Sequence, residues 1–94
     1  MKLPTSVLIN GRRWKVKRVE PNTEWSGLCV YAERTIYITT DLDDRDAQET
    51  FLHELLHALL PEREFLWSEK LEELVIHMLA PRLVTTLKDM GCWK

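Results

Sequence analysis

The chain has only two cysteines, Cys29 and Cys92, far apart and without a CxxC pair. That excludes a disulfide framework and a cysteine-built zinc knuckle, so both are read as reduced thiols. Long apolar runs are missing too. None reaches the roughly 18 residues that a membrane span requires, and the N-terminal MKLPTSVLIN has no apolar stretch of signal-peptide length. The chain is therefore expected to be soluble and cytoplasmic, with no membrane partner. Nor is there a dominant charge: 15 acidic and 13 basic residues leave a formal net charge of −2, which gives no electrostatic case for a nucleic-acid partner. The local basic cluster Arg12, Arg13, Lys15, Lys17 and Arg18 falls on a predicted strand, where charges mark a solvated face more often than a polyanion site. Internal repeats and low-complexity tracts are absent as well.

What is present is 94 residues, 45% hydrophobic and 30% charged, enough for one compact domain over residues 1–94. A chain of this size buries only about 60–70% of the surface exposed when unfolded. It gains from extra support, such as a bound metal.

The pattern reads as a β-rich part over residues 1–40 followed by two helices. Asn10-Gly11 between Val7–Ile9 and Arg12–Val19 suits a tight hairpin turn. Along the second run Trp14, Val16 and Arg18 share one face, opposite Arg13, Lys15, Lys17 and Val19. Glu20–Glu24 and Ser26-Gly27 read as a loop. Leu28–Tyr31 and Thr35–Thr39 are rich in β-branched and aromatic residues and form a second β pair. One of Asp41, Asp43 and Asp44 caps a helix over 43–60 that ends before Pro61. Pro61–Glu64 begins a connector, and Ser68 caps a closing helix over 68–90. In that helix Pro81 predicts a kink or break, Gly91 a stop, and Val75, Ile76, Leu79, Leu83, Leu87 and Met90 the inward stripe.

The first of these helices carries the run His53-Glu54-Leu55-Leu56-His57. Residues i and i+4 sit one turn apart on one helical face, so the two imidazoles can hold a single ion about 2.0–2.1 Å from each. Glu54 then projects beside the metal, where it can take a proton from water and later deliver it to a leaving amine. Short HExxH strings also arise by chance. Against that, Phe51, Leu52, Leu55, Leu56, Ala58 and Leu59 mark a buried helix, in which two unpaired imidazoles and a carboxylate are costly and a metal removes the cost.

A catalytic zinc takes three protein ligands and leaves a position for water. The position six residues after His57, where a metzincin-like site has a histidine, is Arg63. That leaves Glu69, Glu72 and Glu73 on the closing helix. Glu72 and Glu73 both border the start of its apolar stripe, and the residues alone leave them nearly tied. The bland reading is that such acids are solvated first-turn residues. His77 reads either as a packing residue or as a partner of the site that stabilises developing negative charge. Tyr31, Tyr37 and Arg82 are donors without an assigned place. The four tryptophans, Trp14, Trp25, Trp67 and Trp93, are explained mostly by core packing and less by a partner surface.

Arg34-Thr-Ile-Tyr-Ile38, the acidic helix start, Thr50–Ala58 and the closing helix from Glu73 to Asp89 follow one another in an order that resembles the gluzincin zinc metallopeptidases. The likeness is to minimal, phage-related forms akin to ImmA/IrrE-type peptidases. The resemblance implies His53, His57 and Glu73 as ligands of zinc (Zn2+), Glu54 as general base, and a peptide or protein substrate. It also implies that strand Thr35–Thr39 is an edge that holds an extended peptide, with Tyr37 bordering the cleft. For a phage-borne chain the compartment becomes the host cytoplasm. The larger C-terminal lobe of full-size gluzincins has no counterpart in this sequence.

These readings add up to an α+β fold, a small, twisted, mainly antiparallel sheet packed against the HExxH helix and a closing helix, and to a zinc-dependent metallopeptidase. The alternative is a zinc-stabilised binding or regulatory module with little catalysis. A third possibility is a latent hydrolase whose cleft is blocked by the tail Gly91–Lys94.

Overall fold

A computed structural model describes residues 3–60 and 68–93. The expected connector at Pro61–Glu64, with Arg63, and also Trp67 and Lys94 lie outside the described residues. The elements are β1 (Ser6–Ile9), β2 (Arg12–Val19), β3 (Gly27–Val30), a 3-10 turn (Tyr31–Glu33), β4 (Thr35–Thr39), α1 (Asp44–Leu59) and α2 (Glu69–Asp89). This is an α+β fold, and its local signals operate as expected. Asn10 and Gly11 both take positive φ, 50° and 78°, and join β1 to β2 through a two-residue turn. The Asp43 side chain accepts from the Asp46 amide at 2.8 Å to open α1, and Ser68 accepts from Leu71 at 3.1 Å to open α2. Gly91, at φ 76°, closes α2, with the Cys92 amide reaching back to Leu87 and the Gly91 amide to Lys88.

The sheet has the order β1-β2-β4-β3. Two pairings, β1 with β2 and β3 with β4, are antiparallel, while the central β2–β4 pair is parallel, with Val16 opposite Ile36 and Arg18 opposite Ile38. Thr35–Thr39 is therefore an interior strand, hydrogen-bonded on both sides, and not the free edge that the resemblance implied. The edges are β1 and β3.

One face of the sheet, Ile9, Trp14, Val16, Ile36 and Ile38, packs on Ala47, Phe51 and Ala58 of α1. On another side of α1, Leu52 meets Ala80 and Val84 of α2, with Leu55, Leu56, Leu83 and Leu87 around them. α1 thus lies between sheet and α2, which rests chiefly on α1 and not on the sheet. The face that α2 turns inward is Glu72, Ile76, Ala80 and Val84, while Leu79 and Met90 of the expected stripe are exposed. The i, i+4 line through the small Ala80 lets the two helices approach, and that contact, not summed hydrophobicity, selects the face. α2 also runs unbroken through Pro81. The proline removes one amide from the helix, the donor for the His77 carbonyl, but Ile76, Ala80 and Val84 are buried on either side of it. Neither cysteine is in a disulfide, and no helix among the described residues is long and apolar enough to cross a membrane.

Candidate metal centre

Near its C-terminal end α1 is tied to the sheet by Tyr31, whose hydroxyl donates to the backbone carbonyl of His57 and whose ring meets Trp14 edge-on, centroids 5.8 Å apart. This fixes the last turn of α1, and with it His57. His53 lies one turn earlier, its ring centroid 5.1 Å from that of His57. Across from them, the Leu52–Ala80–Val84 contact sets the distance to α2 and brings Glu73 over both rings. Nε2 of His53 is 2.6 Å from one Glu73 oxygen and Nε2 of His57 is 2.9 Å from the other. His53, His57 and Glu73 thus form a group able to hold a metal ion, with donor atoms all within 4.8 Å of one another. Two imidazoles and a carboxylate match the donor set of known catalytic zinc sites.

The near tie between Glu72 and Glu73 separates in space. Glu72 is 9% exposed, and its Oε2 lies 2.8 Å from Nδ1 of His57, the ring nitrogen that faces away from Glu73. A carboxylate there orients the imidazole and fixes its tautomer, leaving Nε2 as the donor. Glu69 is exposed in the first turn of α2 and is not in the metal group.

Glu54 points into a cleft of about 320 Å³ lined by Ser26, Gly27, Glu49, Thr50, His53, His77, Ala80 and Pro81. Its carboxyl is pushed from its ordinary value of 4.5 up to about 7, first by burial; the His57 ring opposes the rise and the Glu73 charge adds to it. Burial here comes from β3, whose first residue has no side chain. A Cβ on Gly27 would stand 2.5 Å from Thr50 Cγ2 and 3.1 Å from Glu54 Cγ. Glycine at 27 lets the edge strand lie directly on α1 above Glu54. Sequence reading assigned Ser26-Gly27 to a loop; a glycine leading into a β-branched and aromatic run was the available signal of a close backbone approach.

No known protein family, curated protein or solved structure matches the chain.

The remaining candidates separate clearly. His77 is exposed on the cleft rim, its ring centroid 6.3 Å from that of His53, so it is not a packing residue. Tyr37 donates to Glu33 and does not border the cleft. Arg82 donates to the Met78 carbonyl on its own helix at 2.8 Å. Trp93 meets Phe51 edge-on at 6.0 Å and lines an apolar hollow with Leu52 and Leu87. Among the described residues the tail Gly91–Trp93 therefore does not block the cleft, because its tryptophan is held by the core.

Proposed function

We propose that the chain is a zinc-dependent metallopeptidase in which His53, His57 and Glu73 hold the ion and Glu54 is the general base. The observation that carries this reading is the convergence of two helical imidazoles on one carboxylate, beside a second carboxylate in an open cleft. Zinc is the preferred ion because two imidazoles and a carboxylate suit its catalytic sites. When bound, it supplies Lewis acidity and lowers the pKa of a water to near neutrality.

The chain's own groups do the rest. Glu54 takes the proton of the attacking water and returns it to the leaving amine, a task suited to a carboxyl whose pKa stands near neutrality. Glu72 holds His57 in register through Nδ1. His77, on the rim, is the donor available to charge developing on the carbonyl oxygen. As an end strand of the sheet among the described residues, β3 beside Gly27 offers backbone groups to an extended peptide, a role that β4 cannot fill from inside the sheet.

A second reading has its own observation. Glu72 and Glu73 both tie α2 to α1, so an ion there also staples two helices of a small domain, as in a metal-stabilised binding module. Cleavage of a quenched-fluorescent peptide library by zinc-loaded wild type and Glu54→Gln separates the two. The peptidase reading expects equal zinc content and cleavage lost in the variant. Equal cleavage by both proteins overturns the role of Glu54, and no cleavage by either leaves the binding module.

A further inference from the structure

The charge of this molecule is unevenly distributed. Only three of its 15 acidic residues, Glu20, Glu24 and Glu33, precede Asp41. The rest belong to the helical part and its flanks, and two of them line the cleft. Glu49 lies on α1 four residues before His53, a rise of about 6 Å along the helix axis, and lines the same cleft. Thr50 follows it and precedes Glu54 by a turn, so Glu49 and Glu54 border the same open space.

Among the described residues no lysine or arginine lines this cleft. Glu49 pairs with Arg45, whose Nε stands 3.7 Å from its Oε2 with Arg45 largely exposed, a weak tie that a ligand can displace. Beside an ion held by His53, His57 and Glu73, the cleft lining adds the carboxyl groups of Glu49 and Glu54 and no lysine or arginine among the described residues. The walls beside Glu49 are small: Ser26, Gly27, Thr50 and Ala80. They leave the cleft open beside Glu49, and a cationic side chain that enters it meets the Glu49 carboxylate with no lysine or arginine of the lining to oppose it.

The geometry points to Glu49 as a specificity residue that selects a lysine or arginine side chain next to the scissile peptide bond. This rests on the peptidase reading above and names the substrate class of that same site. Its charge is what matters. A neutral isostere keeps the shape of the cleft and removes the discrimination, while a reversed charge inverts it.

The test uses peptides identical except for Lys, Gln or Glu at each position flanking the cleaved bond, with zinc-loaded wild type, Glu49→Gln and Glu49→Lys. Their Kd values are measured in parallel on Glu54→Gln, with and without Glu49→Gln. The expected result is a kcat/KM ratio of Lys over Glu peptides of about tenfold to a hundredfold in wild type, collapsing in Glu49→Gln and inverting in Glu49→Lys, with the Kd ratio following. Cleavage with no preference for cations, or a preference untouched by Glu49→Gln, overturns the inference and leaves the peptidase reading standing. No cleavage of any peptide sinks both.

Discussion

Nδ1 of His57 lies 2.8 Å from Oε2 of Glu72, while Nε2 of the same ring faces Glu73, the next residue along α2. Consecutive residues of one helix thus grip the two nitrogens of one imidazole. The two glutamates are expected to differ sharply when removed. Glu73→Ala loses stoichiometric metal binding, whereas Glu72→Gln keeps it with affinity lowered about tenfold to a hundredfold. Competition against a chromophoric chelator measures both, and equal losses would contradict the division of roles.

Gly27 is the second point of leverage. Gly27→Ala drives a Cβ to 2.5 Å from Thr50 Cγ2, an overlap that either β3 or α1 must relieve by moving. A loss of about 1–3 kcal/mol is expected from denaturant unfolding. Adding Thr50→Ser removes that methyl and recovers part of the loss. A Gly27→Ala protein as stable as wild type would mean that β3 does not lie on α1 as described.

Glu54 ionises near 4.5 in the ordinary state and at about 7 in the folded, metal-free chain. A carboxyl with a raised folded pKa gives stability that is fully present below the unfolded value and is lost as pH rises through the folded one. Between about pH 4.5 and 7 the chelated wild type is therefore expected to lose stability relative to Glu54→Gln, which has no proton to release. Parallel stability curves for the two proteins across that range would contradict the buried position of Glu54.

Pro81 sits inside α2 with no amide to offer His77. Pro81→Ala restores that hydrogen bond and removes the ring's clash with the preceding turn, so the unfolding midpoint is expected to rise, by up to about 3 kcal/mol in stability. A fall would show that the proline ring packs in the cleft wall strongly enough to outweigh the backbone cost.

What the sequence made legible was what is written locally. The i, i+4 histidines, the Asn10-Gly11 turn, the caps Ser68 and Gly91 and an aspartate cap of α1, narrowed to Asp41, Asp43 and Asp44, each depend on a few neighbouring residues. What it hid is non-local. The position of β4 between β2 and β3 depends on a parallel register between segments some twenty residues apart, and a strand's composition does not announce its neighbours. The inward face of α2 was misread because Leu79 and Met90 are more apolar than Ala80, yet the small residue is the one that lets the helices close. Glu72 could be told from Glu73 only in three dimensions, since each borders the same stripe. The seat of the tail was not written locally either, because nothing in the last residues tells of the contact between Trp93 and Phe51.

The measurement that bears most directly on the account is native mass spectrometry with metal analysis on wild type, His57→Ala and Glu73→Ala at neutral pH, in protein never exposed to chelator. The account predicts one zinc ion per wild-type chain, lost or much weakened in both variants, with all three still folded. Wild-type protein that carries no stoichiometric metal would contradict it and leave His53, Glu54 and His57 as parts of an ordinary packed helix.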